Sequence, residues 1–278
     1  MAGYAVAFAA LWAAGGPGVF DLDALVKERE STLASFRDPH ASPLAAVARH
    51  DFAGDRPMTF GSAQDSDVPL EGVPARAAVV RALPDGFELE REGKTERLAP
   101  GAKVPLGRYT LRLSHQNFPG VVVLDPLSPR LKTGPFPVWF APDAGSAVEA
   151  RLLRETTPRE DIVLSTRGNK RRALRLGKLE FTLQGKVLHL TALRLLEPGA
   201  GESSVSVFFR DATTGHESYE VGRYVDAESL GGDRYALDFN RAYNPACAFS
   251  PLYNCPIPPR ENVLPIAVRA GERDPGGH

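Results

Sequence analysis

Apolar residues recur at helical spacing only near the start of the chain. Within Phe20 to Phe36, Leu22, Leu25, Val26, Leu33 and Phe36 fall on one stripe, with Lys27, Glu28, Arg29 and Glu30 toward water. Asp21 or Asp23 can cap this helix by accepting from its free first amides. Asp38-Pro39 ends it, and Ser42-Pro43 opens a second short helical piece, Leu44 to Arg49. From Phe52 onward the period is two. Val79 to Leu83 and Phe87 to Glu90 flank Pro-Asp-Gly, and Lys103 to Leu106 and Tyr109 to Leu113 flank Gly107-Arg108, both hairpin patterns. Val121 to Leu124 reads as a buried strand. Asp125-Pro126, Ser128-Pro129 and Gly134-Pro135-Phe136-Pro137 then interrupt the pattern, so a domain boundary is expected near residues 126–137.

Short strands continue beyond it: Val148 to Glu155, Asp161 to Ser165, Arg172 to Leu176, Leu179 to Leu183, Val187 to Leu196, Ser204 to Arg210, Tyr219 to Val225 and Tyr235 to Phe239. Gly168-Asn169, Gly177-Lys178, Gln184-Gly185 and Pro198-Gly199 supply turns. The pattern predicts an all-β protein with an N-terminal helix followed by two β-sandwich or barrel units. The segments are 20–49 (helical), 50–130 (a small β-sandwich), 131–272 (a second barrel or sandwich) and a frayed tail, 273–278.

Composition adjusts this picture little. A chain of 278 residues with net charge -1 can bury a real core and exerts no global pull on nucleic acid or anionic membrane. The first nineteen residues carry no charge, and Tyr4 to Ala14 is apolar over signal-peptide length but short for a membrane span. The expectation is a cleaved signal, hence an exported protein with no integral span afterwards. The alternative is an apolar arm on a cytoplasmic protein. The oligomeric state is not legible.

Several chemistries lack local support. There is no Gly-x-Ser-x-Gly, no Gly-x-x-x-x-Gly-Lys, no Gly-x-Gly-x-x-Gly and no His-Glu-x-x-His. The six histidines are scattered without ligand spacing, so neither metal nor cofactor is expected.

The richest stretch is Asp238 to Arg260, with five prolines and both cysteines of the chain. That much proline excludes sheet interior and predicts a rigid loop laid over the fold. Cys247 and Cys255 can form a disulfide, worth roughly 2–3 kcal/mol, ligate a metal, or stay free thiols. A second constellation lies at Phe209-Arg-Asp-Ala-Thr-Thr-Gly215, with Glu217, Tyr219 and Arg223. Asp211 can cap the turn there, and Arg223 can pair with Asp211, Glu217 or Asp238. The candidate pocket is Asp211, Thr213, Tyr219, Arg223, Asp238, Asn240, Tyr243, Asn244, Glu261 and Asn262. One Arg among Tyr and Asn suits a small polar or anionic ligand. Three functions compete: a binding module for such a ligand or for a cell-envelope component, a hydrolase with Asp211 or Asp238 as base and Arg223 stabilising charge, and a structural envelope protein. The basic run Arg167 to Arg172, with Arg175 and Lys178, lacks interleaved aromatics and reads as a solvated turn.

The same C-terminal residues carry a resemblance. Asp238 to Arg260, continued by Glu261-Asn-Val-Leu-Pro-Ile-Ala-Val-Arg-Ala-Gly-Glu272, resembles the signature of an uncharacterised, mainly bacterial family, domain of unknown function 1684. The likeness extends through Phe208 to Gly215, Tyr219 and Gly222-Arg-Tyr224, and more loosely to Asp125-Pro126, Ser128-Pro129 and the helix at 27–30. It is densest over 204–272 and implies no particular activity. Phe60-Gly-Ser-Ala-Gln-Asp-Ser-Asp-Val-Pro-Leu70 faintly resembles the start of a forkhead-associated domain. Ser62 stands there in place of the expected Arg, and no Ser-x-x-His follows, so only the sandwich is implied.

Overall fold

The computed structural model describes residues 20–201 and 205–276. The apolar run at 1–19 and the last two residues lie outside that range. Helix α1 (Leu22–Arg37) is capped by Asp21, whose Oδ1 accepts from Ala24 N at 2.9 Å. Its stripe is narrower than the spacing predicts. Leu25 is buried, whereas Leu22 and Val26 stay exposed. Glu28 and Arg29, expected toward water, are half-buried instead. Arg29 donates to Phe140 O at 3.2 Å and lies over the Trp139 ring, while Glu28 pairs with Arg241.

The chain divides into two compact units. The first is built on Phe36–Gly134. A 3₁₀ turn (Pro43–Ala45), capped by Ser42 Oγ, leads into β1 (Ala46–Asp51). The helical piece expected at Leu44 to Arg49 is therefore mostly strand. Pairing along β1 with a later, fully buried strand outweighs the weak local helix preference. There follow β2 (Met58–Gly61), β3 (Val68–Pro69), β4 (Ala78–Leu83), β5 (Gly86–Arg91), β6 (Lys94–Leu98), β7 (Lys103–Leu106), β8 (Tyr109–Ser114) and β9 (Gly120–Leu124). They form two sheets, ordered β3-β2-β4-β5-β6 and β1-β9-β8-β7. Inward residues of both sheets, among them Phe60, Val80, Phe87, Leu111 and Val121, share one core, which makes this unit a β-sandwich. Pro69 and Pro105 both lie on edge strands, where a missing N–H costs no ladder bond. The short α2 (Arg130–Thr133) ends the unit's run.

The second unit contains α1 as far as Ser35, Pro135–Leu196 and the chain from Gly201. Six strands close a barrel: β10 (Ala147–Leu164), β11 (Lys170–Leu183), β12 (Lys186–Leu195), β13 (Ser206–Phe209), β14 (Arg223–Gly231) and β15 (Arg234–Asp238), with β15 returning to β10. Two pairs of short strands expected from the sequence are in fact the single long strands β10 and β11. The supposed turn at Gly177-Lys178 is a bulge, where the register shifts between Arg175 and Gly177. Gly177 has φ +146°, and a Cβ there would lie 2.2 Å from Leu153 O, so glycine is required. Tyr219 to Gly222 is turn, and the strand proper begins at Arg223.

The main barrel core joins Leu152, Phe181, Leu190, Phe209 and Leu237 to Leu264, Ile266, Val268 and Ala270 of the C-terminal run. That run alternates buried and exposed positions as a strand does, and it bonds alongside Arg210 to Ala212: Arg210 N to Asn262 O, Leu264 N to Arg210 O, Ala212 N to Ile266 O. The opposite faces of the same strands hold a smaller cluster of Val163, Ala173, Leu193, Phe208 and Tyr224. Arg273 N donates to Val138 O and Asp274 N to Glu217 O, so the expected frayed tail is pinned at its start. Among the described residues no helix is long and apolar enough to cross a membrane.

Candidate functional site

All ten candidate pocket residues fall in the barrel unit, where they separate into several networks. Arg223, at the start of β14, is 1% exposed. Its Nη1 donates to Ala270 O (2.5 Å) and Glu272 O (3.0 Å), and its Nη2 to Val268 O (2.8 Å) and Asp211 Oδ2 (3.1 Å). The guanidinium lies between the Phe140 and Phe209 rings, 5.7 and 5.4 Å from their centroids. Burial pulls its pKa down, opposed by the Asp211 and Glu272 charges.

Asp211 is equally occupied. Its Oδ2 also accepts from Val268 N (2.7 Å), and its Oδ1 accepts from Thr213 N, Thr213 Oγ1 and Thr214 Oγ1. Thr213 Oγ1 in turn meets Ser218 Oγ at 2.8 Å. This cluster clamps the C-terminal run onto the barrel.

Asp238 belongs elsewhere. It caps the 3₁₀ turn Phe239–Arg241, accepting from Asn240 N and Nδ2, and lies 3.4 Å from Arg241. Asn240 also bonds both ways to the Asp143 backbone. Asn244 N donates to Glu272 Oε2 (2.8 Å) and its Nδ2 to Arg273 O (2.7 Å). Glu261 takes Arg175 (2.5 Å) and Thr191, so the basic run is largely paired, with Arg172 held by Glu160 in two hydrogen bonds. Asn262 is fully buried. Its Oδ1 accepts from Thr191 N (2.7 Å), and its Nδ2 donates to Thr191 O (3.0 Å) and Phe208 O (2.8 Å). The structure thus brings Asp211, Thr213 and Arg223 together and sets Asp238 with Asn240 apart from them, at the 3₁₀ turn that bonds to the Asp143 backbone.

Tyr243 packs against the smaller cluster, and Tyr219 reaches the cysteines. Tyr243 exchanges backbone bonds with Tyr224, and their rings meet edge-on at 5.7 Å. Tyr224 OH donates to Pro256 O (2.5 Å), and burial holds both phenols well above their usual range. Tyr219 OH donates to Cys247 Sγ at 3.7 Å, and burial raises its pKa also. Cys247 and Cys255 are free thiols side by side, with Cys247 N donating to Cys255 Sγ at 3.3 Å.

Two members of this face were not singled out as site residues. The register Val163↔Arg171 puts those side chains on one face, and Ser165, two residues on, shares it. Ser165 is 3% exposed, as is Arg171, and Ser165 Oγ has no hydrogen-bond partner among the described residues. Asn244 Oδ1 and Ser250 Oγ are in the same condition. The sequence carries no signal for this face, because the residues that alternate with Val163 and Ser165 include the exposed apolar Ile162 and Leu164. Glu272 was missed as well. Burial pushes its carboxyl up to about 8, against the Asn244 amide and the Arg223 and Arg29 charges.

In the sandwich unit, a groove of about 340 Å³ is lined in part by Arg49, His50, Asp51, Arg56 and Asp67. Arg49 pairs with Asp51 and Arg56 with Asp67 inside it. Among the described residues no group of three or more His, Cys, Asp or Glu could hold a metal ion.

The solution NMR structure of an uncharacterised protein from Haloarcula marismortui matches with 39% identity over 51% of this chain and 78% of that one, at a TM-score of 0.42. No curated protein matches. The model of the family described as "Protein of unknown function (DUF1684)" matches residues 138–273, which include the barrel, the Arg223 clamp and both cysteines. The chain belongs to that family.

Proposed function

We propose that the barrel unit is a binding module for a small polar, anionic ligand, taken on the face that carries Ser165, Arg171 and Tyr243. The observation behind this reading is Ser165 Oγ, buried on the strand face it shares with buried Arg171 and without a hydrogen-bond partner among the described residues. An unpaired buried hydroxyl costs about 1–3 kcal/mol, and a ligand oxygen would remove that cost. Arg171 supplies the positive charge that favours an anion. Half-buried Tyr243 gives the face an aromatic margin. Export remains part of the proposal and rests on the apolar run at 1–19 alone.

A purely structural role has one observation in its favour, the complete internal use of Arg223 and Asp211. The hydrolase reading has none, since an Asp211 base would first have to give up five hydrogen bonds and Asp238 is held as the cap of a 3₁₀ turn, accepting twice from Asn240 beside Arg241. The test is thermal shift of the full chain against inorganic phosphate, sulfate and small carboxylates. At least one of these anions raises the wild-type Tm, and Ser165→Ala folds but loses most of that rise. No shift with any anion, or an unchanged shift in Ser165→Ala, would remove the reading.

A further inference from the structure

Cys247 and Cys255 are more than near neighbours. Cys247 follows the first residue of a 3₁₀ turn (Ala246–Ala248), and its backbone N–H points at Cys255 Sγ, 3.3 Å away. Cys255 is anchored on both sides of its peptide by Thr166: Thr166 N donates to Cys255 O (2.9 Å), and Cys255 N donates to Thr166 Oγ1 (3.1 Å). Tyr219 OH reaches Cys247 Sγ from a third segment. Cys247 is half-buried and Cys255 buried, so Cys247 is the more accessible residue of the pair.

We propose that this pair performs thiol–disulfide exchange with a low-molecular-weight disulfide of the glutathione type, Cys247 attacking and Cys255 resolving. The inference does not rest on the anion reading. The Cys247 thiolate attacks one sulfur of the small disulfide. A mixed disulfide forms and the first small thiolate leaves, taking a proton. The Cys255 thiolate then attacks Cys247 Sγ, forms the internal disulfide and expels the second small thiol. Two protein thiols are oxidised and one small disulfide is reduced to two thiols, so the step balances.

The surroundings suit those roles. Hydrogen bonds from Cys255, Tyr219 and Thr166 draw the Cys247 thiol below its ordinary range despite burial, and the bond to Cys247 together with burial raises Cys255. The more thiolate-like sulfur belongs to the more exposed residue, which is the arrangement an attacking cysteine needs.

The experiment treats the reduced full chain with oxidised glutathione at neutral pH and follows intact mass and free-thiol count after acid quenching. Wild type loses both thiols together and gains no adduct. Cys255→Ser stops at one glutathione adduct on Cys247, and Cys247→Ser stays unmodified. Tyr219→Phe slows the attack severalfold at neutral pH and moves its pH profile upward, which a merely structural tyrosine would not do. If Cys255→Ser fails to fold, Cys255→Ala takes its place. A stable adduct on wild type, or two thiols inert in the native protein and reactive only after denaturation, would overturn the proposal.

Discussion

Glu272 is 4% exposed, with Oε2 accepting from Asn244 N and no ion pair within 4 Å among the described residues. Burial outweighs the pull of Arg223 and Arg29, so its pKa stands at about 8 where an unfolded Glu has 4.5. The native state therefore keeps a proton that the unfolded chain has released. Its contribution to stability is full below about pH 4.5 and is lost as pH rises through about 8. The effect is bounded at about 5 kcal/mol. Glu272→Gln keeps an acceptor for Asn244 N and removes the titration. Wild type should lose Tm between pH 5 and 9 by more than the Gln variant does. Parallel profiles would mean that Glu272 ionises normally.

At the scale of elements, β12 and β13 pair only at Leu193↔Ser206. Two residues further along that register Thr191 would lie opposite Phe208, and there the side chain of Asn262 stands between them, bonded to Thr191 N, Thr191 O and Phe208 O. A side-chain amide offers the same donor and acceptor as a peptide, so it completes the ladder where the strands separate. Asn262→Ala leaves three buried backbone groups unpaired and should cost about 3–5 kcal/mol. Asn262→Asp, which retains the acceptor but loses both donors and buries a charge, should cost no less. Urea midpoints of the two variants measure this, and a loss under 1 kcal/mol for Asn262→Ala would show that the strands close without it. Elements of this kind explain what the sequence reveals. The hairpins at Pro84-Asp85 and Gly107-Arg108 are legible because the signal is local, a turn between alternating runs. The bulge at Gly177 carries the same residues as a turn and differs only in what lies across from it, Leu153 O. The Asp211–Arg223 pair was foreseeable from a turn carboxylate facing a returning arginine. Its saturation by Val268, Ala270 and Glu272 was not, because those carbonyls arrive from some fifty residues downstream.

At the scale of the whole molecule, the barrel is closed in two steps of different range. β15 returns to β10, pairing Ala147 with Asp238, and the C-terminal run then lays Leu264, Ile266, Val268 and Ala270 into the main core. Burying such a Leu, Ile or Val side chain contributes about 1.5–3 kcal/mol. The three together give roughly 5–9 kcal/mol, as large as the net stability of a typical domain, 5–15 kcal/mol. The run also supplies every carbonyl that Arg223 uses, so losing it strands a buried guanidinium–carboxylate pair, costing several kcal/mol more. A chain ended after Val263 should therefore fail to close its barrel even though all six strands are present. The expected result is loss of near-UV circular dichroism from the barrel aromatics and strong binding of a hydrophobic dye, partly restored by Arg223→Met with Asp211→Asn, which removes the stranded charges but not the missing apolar surface. If the truncated chain retained native near-UV signal and bound no dye, the C-terminal run would be a covering segment and the barrel core would be sufficient by itself.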